Sequence, residues 1–120
     1  MNNCEVSSAL QCVGEFNIFA YEEPAAIAWI LRKFLQFARE GRTVGAQYLI
    51  ENCRYDGPLR KTSDRKYKFD NDFAAILGRR IRLTLPNYAD CITVRRSRFD
   101  LPEVASSITP FDLDALGISA

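Results

Sequence analysis

Seven cations could together address a chain of phosphates: Lys66 and Lys68, then Arg79 and Arg82, then Arg95, Arg96 and Arg98. A guanidinium donates two parallel N–H bonds to a phosphate, and each neutralised phosphate releases condensed counterions into solution. Arg79 and Arg82 stand three apart, which on a helix puts them on a shared face, expected here to be exposed. Arg80 lies nearer the edge of the buried stripe. The surrounding charge sharpens this reading. Residues 54–98 hold 12 Lys and Arg less 5 Asp, a net of +7, whereas residues 1–53 carry 4 less 6, or −2, and residues 99–120 carry −4. A chain of net charge +1 and pI near 7.6 is therefore strongly asymmetric, which points to a polyanion or an acidic protein surface as partner.

Other chemistries find less support. Glu22-Glu23 and Asp70-x-Asp72 are the acidic pairs nearest to helix starts, where carboxylates balance the positive end of the helix dipole, so neither pair is needed as an acid/base couple or metal site. With no histidine in the sequence, Ser-His, Cys-His and His-metal arrangements are excluded. Cys4, Cys12, Cys53 and Cys91 lack the close pairing of a thiolate metal site and read as reduced, spectator thiols. The stretch 41–45 has two glycines but no lysine at phosphate-loop spacing. Neither catalysis, nor a cofactor, nor a metal is expected.

The elements that must hold these cations follow from periodicity and breakers. Residues 1–19 show no clear helical signature and are expected to form an arm, extended near residues 16–19. Glu22-Glu23-Pro24 suits a helix start, and Ile27, Ile30, Leu31, Phe34 and Ala38 recur at steps of three and four up to Gly41. Trp29 and Phe37 widen that stripe. Thr43 can cap a second helix through Cys53, and the short link between the two suggests a helix-turn-helix style hairpin. A mobile loop is expected over 55–64, where Gly57-Pro58 marks a turn. Tyr67-Lys68-Phe69 alternates as a short strand, and Asp70 or Asn71 can cap a third helix that Pro86 stops near Leu85. Ile92-Thr93-Val94 reads as a second strand, to be paired with the first. The tail beyond Leu101 reads as a loose strap or a partly disordered segment. Within it Phe111, Leu113 and Leu116, interleaved with Asp112 and Asp114, could dock on a partner.

Residues 16–100 also carry an aromatic lead into Glu23-Pro24, a helix closing in Gly41-Arg42, and then Ile50-Glu51 and Arg54. Further on come Lys68-Phe69-Asp70-Asn71-Asp72-Phe73, Arg80, Pro86 and Arg95-Arg96-Ser97-Arg98. In this run the chain resembles small bacteriophage and prophage proteins of unassigned function that share a Lys-x-x-Asn-x-aromatic element. It departs from them in having Asp70 and Asp72 around Asn71, and Cys91-Ile92 where an aromatic is usual. The resemblance implies a phage or prophage origin and a helical domain with a small sheet.

Together these readings give an α+β chain, a small helical domain with a two- or three-stranded sheet, winged-helix-like. The expected divisions are an arm at 1–20, the domain at 21–100 and an acidic tail at 101–120. The expected activity is that of a phage-type regulator binding nucleic acid, double-stranded DNA first, through Lys66, Lys68, Arg79, Arg82, Arg95, Arg96 and Arg98. The alternative is an anti-defence or host-takeover factor that inhibits a host complex by binding an acidic protein surface. The 7 apolar residues 25–31 are too few to span a bilayer, and residues 1–15 lack the basic region and long apolar run of a secretory signal, so the cytoplasm of a bacterial host is the expected location.

Overall fold

The computed structural model describes residues 3–61 and 66–120, apart from the side chains of Asn3 and Lys61. Six α-helices, two short strands and three 3-10 turns occupy these residues: α1 (Asn3–Glu22), α2 (Pro24–Arg39), β1 (Val44–Gly45), α3 (Ala46–Tyr55), α4 (Asn71–Thr84), β2 (Ile92–Thr93), α5 (Pro102–Ala105) and α6 (Leu113–Leu116), with the turns at Pro58–Lys61, Pro86–Cys91 and Arg98–Asp100. The chain is mostly helical with one small parallel sheet.

The stretch expected to be an arm is the 20-residue helix α1. Its buried positions Ala9, Val13, Phe16 and Phe19 follow one another at four, three and three residues, a helical stripe that places Phe16 and Phe19 in the centre of the core. Glu23 separates α1 from α2 because a residue preceding proline avoids the α conformation, and Pro24 then starts α2 at no cost in hydrogen bonds. At the far end of α2, Gly41 takes a left-handed φ of 72°. Its N–H donates to the Ala38 carbonyl at 3.0 Å and that of Arg42 to Phe37 at 2.9 Å, the paired bonds of a Schellman stop.

The sheet differs from expectation. β1 pairs with β2 in parallel, Val44 opposite Ile92 and Gly45 opposite Thr93. Tyr67 and Phe69 form no strand. Their rings close an aromatic cluster on Phe19 and Phe73, with Phe19 lying 4.9 Å from Tyr67, 5.7 Å from Phe69 and 4.8 Å from Phe73 between ring centroids. Burial of three rings around Phe19 thus takes precedence over a two-residue ladder. Of the loop expected over 55–64, residues 62–64 lie outside the described residues, as does Arg65, while Gly57 and Leu59 are buried against α2 and α3. A Cβ on Gly57 would lie 2.9 Å from both Trp29 Cδ2 and Cε2 and 3.0 Å from the Cys53 Cα. Gly57→Ala is therefore expected to cost about 1–2 kcal/mol by overpacking, read as a lower urea midpoint at unchanged slope.

α4 is the central helix. Asp70 caps it by accepting from the Phe73 N–H at 3.1 Å, and it packs on α1, α3 and the segment around β2. The tail is a strap on the core: Val104, Ile108, Phe111 and Ile118 are buried. Arg32 donates to the carbonyls of Leu116 and Gly117, and Arg39 donates to that of Ser119. Phe111 is only 8 % exposed, and Leu113 and Leu116 pack partly buried on the core, so the expected docking segment is occupied by its own protein.

Candidate polyanion-binding edge

The helix expected to carry Arg79 and Arg82 is α4, and it does bring them to neighbouring positions, but not to one exposed face. Arg79 is 8 % exposed. Its Nε and Nη2 donate to the two carboxylate oxygens of Asp100 at 3.0 and 2.9 Å, Nη2 also donates to the Arg95 carbonyl at 2.7 Å, and Nη1 donates to the Ala75 carbonyl at 2.9 Å. All of its donor atoms are engaged, so it acts as a clamp within the protein. Arg82 is exposed and reaches back to the Ile92 carbonyl at 3.4 Å.

Arg80 is buried with no ion pair among the described residues. It donates to the Thr109 carbonyl at 2.8 Å and to Asn17 Oδ1 at 3.3 Å, with its guanidinium 3.9 Å from the centre of the Phe111 ring. Burial pushes its pKa down, while the aromatic face and the carbonyl compensate the lost water. This side chain joins α1, α4 and the strap.

Arg98 is also committed, donating to Asp72 at 3.0 Å and to Ser8 Oγ at 3.1 Å, with Cys12 Sγ at 3.6 Å. Burial, followed by the Asp72 charge, raises the Cys12 pKa despite the nearby arginine, so the thiol is kept protonated. Lys68 lies 3.6 Å from Asp70 in an open pair of little strength. Lys66 sits 5.4 Å from the centre of the Tyr67 ring, whose hydroxyl donates to Glu22 at 2.8 Å.

Arg95 and Arg96 remain. Both are exposed, and neither makes an ion pair within 4 Å among the described residues. Their backbone is held firmly. Ser97 and Asp100 form a capping box, Ser97 N–H donating to Asp100 Oδ2 at 2.9 Å and Phe99 N–H to Ser97 Oγ at 3.1 Å, and the same carboxylate receives Arg79. The bond from Arg79 holds the Asp100 carboxyl below its ordinary pKa. On the other side Val94 Cγ2 lies 3.1 Å from where a Cβ on Gly78 would sit, so the glycine lets this segment press onto α4.

Arg95 borders a groove of about 380 Å³ bounded by Gly45, Gln47, Asn71, Thr93 and Val94. At its wall α3 begins on Gly45 with no side chain capping its first N–H groups. Of the seven cations read from sequence, Arg79 and Arg98 are internal clamps and Lys68 is paired. Lys66, Arg82, Arg95 and Arg96 point charge outward. The role of Asp100 was missed, although Ser97-x-x-Asp100 is a readable capping pattern.

No protein-family model, curated protein or solved structure matches this chain. No described helix is long and apolar enough to cross a membrane.

Proposed function

We propose that the protein binds nucleic acid along the edge formed by Arg95 and Arg96, with Arg82 and Lys66 as outlying contacts. One observation carries the reading: Arg95 and Arg96, neighbours in sequence, are both exposed and make no ion pair within 4 Å among the described residues, on a backbone tied down by the Arg79–Asp100 clamp. Pre-ordered cations lose less conformational freedom on meeting phosphates than cations on a loose loop. In winged-helix terms the main contact falls to the wing position, residues 92–98, and α4 adds only Arg82 near its end, because residues 76–81 of α4 are all buried and cannot enter a groove. Such contacts position a protein on the phosphate backbone and read no bases, so the binding is expected to be sequence-tolerant. A phage or prophage regulator is the setting this reading gives it.

Fluorescence anisotropy with a generic labelled duplex at 50 and 200 mM salt tests the proposal. The parent is expected to bind at low salt and weaken steeply as salt rises. The Arg95→Glu/Arg96→Glu variant should bind about tenfold or more weaker, with a salt slope smaller by about 2. No binding by the parent to duplex or single strand at 50 mM overturns the reading and leaves an acidic protein surface as the partner to seek.

A further inference from the structure

Two further cations without ion pairs lie away from the Arg95–Arg96 edge. Arg32 and Arg39 stand seven residues apart on α2, so at about 100° per residue they point the same way two turns apart, with Gln36 between them. All three are exposed, and they form one wall of a pocket of about 310 Å³. The opposite wall is the strap. Gly117 ends α6 with a left-handed φ of 70°, its N–H donating to the Asp114 carbonyl at 3.1 Å and that of Ile118 to Leu113 at 3.0 Å, so the chain turns back onto α2. Ile118 is buried and pins that turn to the core.

Both guanidinium groups are left short of acceptors. Arg32 Nη2 reaches the Leu116 and Gly117 carbonyls at 3.5 and 3.4 Å, and Arg39 Nη2 reaches that of Ser119 at 3.4 Å, all longer than the usual distance of about 2.9 Å. Nε and Nη1 of each have no partner among the described residues. Neither arginine makes an ion pair there, although α6 carries Asp112 at its start and Asp114 in its first turn. Their neighbours are engaged: Lys33 lies 5.9 Å from the Trp29 ring centre, and Arg42 pairs with Glu40 at 3.3 Å. Two forked donors facing one cavity across neutral carbonyls suit phosphate oxygens, which accept charge-assisted bonds in pairs. The carbonyls that receive them are two residues apart, at most about 7 Å of chain, so a ligand with two linked phosphates can meet one guanidinium with each.

We propose that this pocket binds two linked phosphate groups, one on Arg32 and one on Arg39. A free pyrophosphate-bearing molecule and the successive phosphates of a nucleic-acid strand present the same chemistry. The site shares no residue with the Arg95–Arg96 edge and does not rest on it.

Isothermal titration calorimetry of the full chain with sodium pyrophosphate at about 50 mM salt should give a dissociation constant of about 1 mM or tighter, with orthophosphate about tenfold weaker. Arg32→Gln/Arg39→Gln should weaken pyrophosphate about tenfold or more. Because those arginines also hold the strap, Gln36→Glu is the second variant: it keeps both, sets a carboxylate between them, and should cause a similar loss with the urea midpoint close to the parent's. Arg95→Glu/Arg96→Glu should leave pyrophosphate binding within about twofold. The source is read from the salt dependence of binding to a labelled duplex. A slope smaller by about 2 in Arg32→Gln/Arg39→Gln assigns the pocket to strand phosphates, and an unchanged slope assigns it to a free ligand. A parent that takes pyrophosphate yet binds no nucleic acid keeps this site and removes only the edge. No pyrophosphate binding by the parent, orthophosphate bound as tightly, or binding indifferent to both variants would each overturn the proposal.

Discussion

Phe19→Ala is expected to remove about 3–5 kcal/mol of stability, enough to leave a domain of this size partly unfolded at 37 °C. Phe19 is 1 % exposed and its ring lies edge-on to Phe16 at 5.8 Å as well as to Tyr67, Phe69 and Phe73. Truncation removes the transfer free energy of a whole ring and opens a cavity that four other rings, fixed on three separate stretches of chain, cannot easily fill. Tyr21, two residues on and 88 % exposed, supplies the control, and Tyr21→Ala should move the urea midpoint by less than the equivalent of about 0.5 kcal/mol. An arm loosely attached to residues 21–100 would give small effects at both positions. A near-zero shift for Phe19→Ala in urea denaturation would therefore restore the arm and remove α1 from the core.

The contrast between α1 and α2 shows what the sequence could convey. α2 has Pro24 at its start, Gly41 just after its end and a stripe of large aliphatic side chains between, so composition and punctuation agree. α1 has neither a proline at its start nor a glycine after its end, and its stripe mixes Ala9 and Val13 with two phenylalanines, interspersed with exposed Leu10, Ile18 and Tyr21. Apolar residues on both faces blur the period. β2 was legible at Ile92-Thr93, but β1 and the pairing were not, for another reason. Two-residue ladders carry almost no periodic signal, and the pairing of Val44 with Ile92 joins positions 48 apart in sequence. Alternation in Tyr67-Lys68-Phe69 was real, yet it arises from two rings turned towards Phe19 with Lys68 left in water.

The candidate site was legible as charge and illegible as function of each charge. Periodicity places Arg79 three residues from Ile76 and two from Leu77, close to the buried stripe, but long side chains can leave such positions for solvent. The deciding fact is tertiary: Asp100, 21 residues on, returns to Arg79. Nothing local announces that return, although the capping pattern at Ser97 announces that Asp100 is ordered.

Arg79→Ala is accordingly expected to cost about 2–3 kcal/mol of stability and to weaken the proposed nucleic-acid binding indirectly. Truncation leaves the Arg95 carbonyl without its donor and strips Asp100 of two bonds, but the Asp100 side chain is 49 % exposed, so water takes over part of its solvation and the loss stays below that of a fully buried pair. Arg79→Lys should not restore it, because one ammonium cannot fork across a carboxylate and reach two carbonyls. The pH dependence has a definite sign. Asp100 has its pKa lowered from 3.8 in the folded protein, chiefly by Arg79, so the bond's contribution is present above that value and is lost as pH falls through the depressed folded pKa. The variant lacks this contribution and should show a flatter acid limb in urea denaturation between about pH 4 and pH 2. Binding separates clamp from contact. Loosening residues 95–98 lowers affinity while the number of phosphates met stays the same, so Arg79→Ala should shift the whole salt plot down with its slope unchanged, whereas Arg95→Glu/Arg96→Glu should reduce the slope. A reduced slope for Arg79→Ala at full stability would mean that this guanidinium leaves Asp100 for the ligand, and the clamp would then be a contact.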